Sequence, residues 1–176
     1  MIPAAQPAAS ARVAAVWEVL AGVPDPEVPA VSVCDLGIVR DVVEHADGVE
    51  IILTPTYSGC PATEAIEQDV LAAVRTAGLG PVRVSLQRSP AWTTDWISAQ
   101  GRAKLLAYGI VPPGPVAADT AVAMRFIPRA RAAAALNCPR CGSAATQQLS
   151  AFGSTACKSL YRCITCREPF EHFKAL

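Results

Sequence analysis

Two pairs of cysteines near the end of the chain, Cys138-Pro139-Arg140-Cys141 and Cys163-Ile164-Thr165-Cys166, have the spacing of metal ligands. A turn carrying thiols three positions apart can aim both sulfurs at one point, and two such turns supply four soft donors in a tetrahedron. That set suits zinc in a closed, structural site, and the same geometry also accepts iron. A segment as short as 136–176 buries too little apolar surface to fold unaided, so it needs a metal or a covalent staple. The expectation is a structural zinc ribbon over 136–176, with Cys138, Cys141, Cys163 and Cys166 as its ligands.

Another cysteine occupies a different setting. Cys60 lies in Thr54-Pro55-Thr56-Tyr57-Ser58-Gly59-Cys60-Pro61, between a strand-like and a helix-like run. Pro61 suits a first helical position, which predicts Cys60 at the N-cap. There the helix dipole and the free backbone N–H groups favour a thiolate, the form that binds metal or attacks electrophiles. Thr56 and Ser58 add hydroxyls nearby, and Gly59 lets a ligand approach the backbone. Position alone leaves equally open an ordinary buried cysteine in a strand-to-helix loop. Cys34, between Val33 and Asp35, reads as core, and Cys157 as a packing thiol of the ribbon. Asp25-Pro26-Glu27 reads as a solvated turn, with acid or metal-ligand chemistry as its sharper alternative. His172 is an outside candidate to replace a thiol ligand, and His45 falls near a hairpin turn. There is no Gly-rich phosphate loop and no Gly-x-Ser-x-Gly elbow.

The elements that must position these residues are legible from period and punctuation. Val13, Val16, Trp17 and Leu20 mark one face of a helix capped by Ser10; Ile66, Val70, Val74 and Ala77 mark a second, from Pro61 to about Ala77. A third runs from about Ala99 to Tyr108 behind Ser98. Each ends in Gly, an apolar residue and a nearby Pro (Gly22-Val23-Pro24, Gly78-Leu79-Gly80-Pro81, Gly109-Ile110-Val111-Pro112), which predicts a left-handed glycine stop. Strand-like runs at 37–43 and 49–54 flank Ala46-Asp47-Gly48, a hairpin turn. Val82, Val84 and Leu86 alternate with polar residues in a third strand, which a right-handed crossover sets parallel to the second. The fold class is therefore α/β (α+β): a small mixed sheet covered by helices, plus a small C-terminal ribbon. The domains are expected at 1–111 and 136–176. A Pro/Ala-rich linker over 112–135 joins them, with room for one strand at Val122–Ile127 or a helical turn at Ala132–Ala135.

Composition narrows the function classes. The 176 residues are 52% hydrophobic and 17% charged, well above the apolar content of a disordered chain. Residues 1–110 carry 7 basic and 12 acidic side chains and residues 111–176 carry 8 and 3, so net −5 is followed by +5. Four thiolates and one zinc would reduce the second figure to about +3, too little to imply nucleic acid on charge alone. No apolar run approaches a membrane span, and the first 30 residues lack the basic-then-apolar order of a signal peptide. Seven cysteines, an odd number, fit a reducing compartment, so a soluble cytoplasmic protein is expected.

The ordered blocks Asp25-Pro26-Glu27-Val28-Pro29, Val33-Cys34-Asp35-Leu36-Gly37-Ile38-Val39 and Thr54-Pro55-Thr56 with Cys60-Pro61 resemble SufT-type iron–sulfur assembly domains. Trp92-Thr93-Thr94-Asp95-Trp96-Ile97-Ser98 and Phe152-Gly153-Ser154-Thr155-Ala156-Cys157-Lys158 narrow the resemblance. With them the chain is similar to the PaaD (PaaJ) family, accessory subunits encoded with the bacterial phenylacetyl-CoA epoxidase. The resemblance covers nearly the whole chain. It implies an α/β domain that helps deliver or assemble metal centres, with Cys60 as the motif cysteine and Asp35 and Thr56 around the presumed site. It implies the oxygenase or reductase subunits as partners, and a transient iron–sulfur cluster or iron as cargo at Cys60. A second copy of the chain or a partner would supply the ligands that one thiolate lacks. The chain has no Glu-x-x-His pair for di-iron, so the resemblance implies an accessory role in phenylacetate catabolism and not the oxygenation itself.

Two other readings have their own signatures. A ribbon that binds nucleic acid would use Arg140, Lys158, Arg162, Arg167 and Lys174 with Tyr161, Phe170 and Phe173, but the acidic first half argues against it. An adaptor that binds protein partners without handling clusters would keep the ribbon and leave Cys60 idle. Thiol oxidoreduction needs a Cys-x-x-Cys that opens a helix beside a sheet, and neither pair here has that setting.

Overall fold

A computed structural model describes residues 10–57, 59–114 and 136–176. The expected strand at Val122–Ile127 and the turn at Ala132–Ala135 lie outside the described residues. The chain divides into two compact units, Met1–Trp92 and Thr93–Leu176.

The first unit begins with α1 (Ala11–Ala21), whose N-cap Ser10 accepts the Val13 N–H, as the sequence predicts. Val16 and Leu20 are fully buried on its inner face. Each such side chain contributes about 1.5–3 kcal/mol by leaving water. The stop at Gly22 differs from expectation: its φ is −91°, a right-handed value. Here the Gly22 and Val23 N–H groups bond the carbonyls of Val19 and Leu20, which closes the last turn tightly without a left-handed residue. Gly78 and Gly109 do take the left-handed conformation.

Strand β1 (Val39–His45) pairs antiparallel with β2 (Gly48–Leu53), and β2 pairs parallel with β3 (Val82–Leu86) after the crossover helix α2 (Thr63–Thr76). The sheet order is β1-β2-β3. The register of β1 shifts between Val39 and Asp41, and this irregularity lets both Val39 and Val42 face the core. Val49, Ile51 and Leu53 of β2 are buried, and Ile66, Val70 and Val74 of α2 complete that core. α1 packs on β1 and α2, and α2 on β3. Gly48 closes the hairpin where a Cβ would come within 2.5 Å of the Pro81 carbonyl oxygen, so no larger residue fits without displacing backbone.

The second unit opens with a single 3-10 turn (Thr94–Trp96) and α3 (Ala99–Tyr108), capped by Ser98 Oγ on the Gly101 N–H. Its sheet holds β4 (Ile110–Val111), β5 (Thr146–Ser150), β6 (Lys158–Cys163) and β7 (Pro169–Phe173) in the order β4-β7-β6-β5. The sequence gives no sign that β4 joins the cysteine-rich segment. It pairs parallel with β7, Ile110 opposite Glu171 and Val111 opposite His172. Cys138, Tyr161, Cys163 and Phe170 form a buried cluster, with Val111, Leu136 and Cys166 packed against it.

Candidate functional site

The two Cys-x-x-Cys turns are built alike. The Cys138 N–H donates to the Ser143 carbonyl and the Cys163 N–H to the Glu168 carbonyl, each reaching five residues ahead. In each turn the residue after the second cysteine is left-handed, Gly142 at φ 73° and Arg167 at φ 65°. Ser143 Oγ and Thr165 Oγ1, 2.8 Å apart, link one turn to the other, and Arg140 forms an ion pair with Glu168. These constraints bring the four sulfurs within 4.8 Å of one another. Sγ of Cys138 lies 3.7 Å from that of Cys166, and Sγ of Cys141 3.6 Å from that of Cys163. A tetrahedron with metal–sulfur bonds of about 2.3 Å has edges of about 3.8 Å, so the spacing fits one ion held by four thiolates. Cys163 Sγ accepts the Cys166 N–H at 3.4 Å, and that bond favours its thiolate, while burial and the neighbouring thiols push Cys166 up. Histidine is no part of this group: His172 packs edge-on against Tyr161 at 5.9 Å, which removes it as a substitute ligand.

Cys60 is not the helix N-cap. α2 starts at Thr63 and its cap is Ala62, so the thiol stands two residues before the position the sequence predicts. The reason is a pair of turns. The Cys60 N–H reaches the Tyr57 carbonyl, and the Cys60 carbonyl accepts both the Thr63 N–H (3.2 Å) and the Thr63 hydroxyl (2.9 Å). Thr63 thereby anchors the start of the helix from within, and Pro61 sits in the turn ahead of it. The dipole argument for Cys60 loses its geometry with that shift. What remains is a half-buried cysteine whose sulfur has no hydrogen-bond partner among the described residues, next to Gly59 at φ 84°. Among the described residues Cys60 joins no group of three or more His, Cys, Asp or Glu side chains close enough to share a metal. Ser58 lies outside the described residues. Thr56 is half-buried on the same loop.

Asp25 and Asp35 are both buried, so the reading of the Asp25 turn as solvated is corrected. Asp25 Oδ1 accepts the N–H groups of Glu27 and Val28, and burial follows because the carboxylate is hydrogen-bonded to its own loop. Asp35 Oδ2 accepts the Ser32 N–H while Ser32 Oγ accepts the Asp35 N–H, a reciprocal pair that braces the loop before β1. Trp92 donates its indole N–H to the Leu36 carbonyl at 3.0 Å and covers the same loop. Burial, with the Asp35 carboxylate beside it, pushes the Cys34 thiol up to about 11. Cys34 is half-buried rather than core, and its raised thiol stays protonated at neutral pH.

In the ribbon Cys157 is buried, 3.0 Å from Thr155 Oγ1. Its neighbour Lys158 carries the feature that sequence reasoning missed. The side chain is only 3% exposed, and its ammonium pairs with Glu171 Oε2 at 3.0 Å. Glu171 Oε1 accepts the Ser154 N–H. Burial pushes the Glu171 carboxyl up, but the Ser154 N–H and the Lys158 ammonium outweigh it and hold it below the usual carboxylate range. One carboxylate thus ties the loop at 151–157 to the central strands.

Comparison with known proteins covers both units. Residues 13–86 match the family model described as "Iron-sulfur cluster assembly protein", and residues 126–174 match "PaaD zinc beta ribbon domain". A curated relative from Escherichia coli (strain K12), a subunit of a "Putative 1,2-phenylacetyl-CoA epoxidase", is 47% identical over 161 residues. The match spans 92% of this chain and 92% of that relative. A crystal structure titled as the domain of unknown function DUF59 from Bacillus anthracis is similar at TM-score 0.51 and 28% identity. That similarity spans 54% of this chain and 92% of the other.

Proposed function

Because this chain belongs to the PaaD family, we propose that it serves a phenylacetyl-CoA epoxidase system as an accessory protein that helps assemble or repair a metal centre. The observation that carries this reading is the order of the two matched regions along one chain, an iron–sulfur assembly domain followed by the family's zinc ribbon. Cys60 is the candidate working thiol of the first unit. Its sulfur has no hydrogen-bond partner among the described residues and a glycine precedes it, on a loop whose backbone is fixed by two turns. A single thiolate holds an iron–sulfur cluster or an iron ion weakly, since clusters take about four ligands. Weak hold suits a chain that receives such a cargo and gives it up to an oxygenase or reductase subunit. Asp35 shapes the loop before β1 and is assigned a positioning role.

In the second unit Cys138, Cys141, Cys163 and Cys166 would hold a structural zinc. Zinc bound there has no open position for a substrate and supplies folding energy, since a four-thiolate set is closed. The ribbon then acts as a docking module for the epoxidase subunits. Residues 112–135 are assigned to a linker that leads from the end of residues 1–111 to the ribbon at 136–176.

The test is metal and sulfide analysis after anaerobic purification, with epoxidase activity in cells grown on phenylacetate. Parent protein should carry about one zinc per chain, and iron with acid-labile sulfide in addition. Cys60→Ala should keep the zinc and the parent's melting temperature but lose iron and sulfide and lower the epoxidase activity. Parent-level activity and iron in that variant would remove the role given to Cys60.

A further inference from the structure

Thr54, Thr56, Tyr57, Arg88 and Trp92 line a cleft of about 70 Å³ in the first unit. Its polar groups are out of balance. Thr54 is 1% exposed, and its hydroxyl has no hydrogen-bond partner among the described residues. A buried hydroxyl left in that state is costly, and natural folds keep it where something else satisfies it. Neither the Thr56 hydroxyl nor the Arg88 guanidinium has a partner among the described residues. Trp92 has already committed its N–H to the Leu36 carbonyl, so its ring serves as a wall. The cleft is thus lined by three residues, Thr54, Thr56 and Arg88, whose side-chain donors are uncommitted among the described residues.

We infer that this cleft is a binding site for a small oxyanion, a carboxylate or a phosphoryl group. An anion supplies the missing acceptors, and a guanidinium with hydroxyls is a donor set that proteins use for both groups. The volume fixes the scale: it admits a group of a few heavy atoms, while pockets for whole cofactors begin at about 300 Å³. The inference goes beyond the reading of Cys60 as a metal-handling thiol and does not depend on it. The cleft lies on the same Thr54–Cys60 loop, so a cargo or partner that reaches Cys60 with an anionic group would find its counterpart a few residues away.

The test uses the full chain in low-chloride buffer, with backbone and indole N–H chemical shifts followed by NMR during separate titrations with sodium phosphate and sodium acetate. Saturable shifts confined to residues 54–57 and 88–92 are expected from at least one of the two. Phosphate alone would identify a phosphoryl site, acetate alone a carboxylate site, and both a general oxyanion site. Arg88→Ala should weaken the binding at least tenfold. Arg83→Ala, which removes an exposed cation paired with Glu50 and Asp47, should leave it unchanged and so controls for bulk charge. Thr54→Val should weaken binding without lowering the melting temperature, because the lost hydroxyl has no partner among the described residues. Absence of localised saturable shifts with both anions, or equal affinity in parent and Arg88→Ala, overturns the proposal. A lower melting temperature in Thr54→Val overturns the assignment of the hydroxyl to a ligand.

Discussion

Glu171 shows how much one side chain can carry. It takes the charge of a lysine that is 3% exposed and a backbone N–H from the loop at 151–157. Removing one member of a buried pair costs more than the pair is worth, because the other charge stays buried alone. Glu171→Gln is therefore expected to destabilise the ribbon by about 3 kcal/mol at pH 7, read from chemical denaturation of parent and variant. The sign with pH follows from the lowered carboxyl. Its contribution is full above the unfolded value of about 4.3 and is lost as pH falls through the folded value, so the gap between parent and variant should close in acid. Residue-level sequence reading found the chemistry where residue type and spacing are informative, as with the four clustered thiols. It misread Asp25 as solvated and left the burial of Lys158 and Thr54 unread, since burial is decided by how the chain packs around them.

At the scale of elements, Ser10 and Ser98 cap their helices as hydroxyls before an apolar-periodic run must. The Cys60 cap failed because Thr63 offered a better local arrangement, and a Pro alone does not fix which residue begins the helix. The two cysteine turns carry a further asymmetry. Their left-handed positions are held by Gly142 and by Arg167, and a side chain there costs about 1–2 kcal/mol in an L-residue. Arg167→Gly should raise the ribbon's stability by about 0.5–1 kcal/mol with metal content unchanged, measured by thermal unfolding of the zinc form. An unchanged or lower midpoint would mean that Arg167 makes compensating contacts.

For the whole molecule the sequence carried the mixed sheet, the parallel crossover and the four-thiol site, because each depends on local period or spacing. It did not carry β4, a two-residue strand with no periodicity of its own whose partner is about 60 residues away. The consequence is measurable. A fragment of residues 136–176 lacks β4 and the Val111 contact with the ribbon's cluster, whereas 93–176 retains both. Both should bind zinc, and the longer should melt at least about 5 °C higher. Equal midpoints would show that β4 adds nothing. The same pairing imposes a timetable on biosynthesis. Every strand of the first sheet has been made by Leu86, but β4 waits for β7 and the first Cys-x-x-Cys pair waits for the second. At about 5–20 residues per second the wait lasts several seconds, long enough for the first unit to fold while the later thiols are still without their partners. During that interval the ribosome-bound chain is open to oxidation and to the wrong metal, which makes metal supply and thiol protection a matter of translation rate as well as affinity.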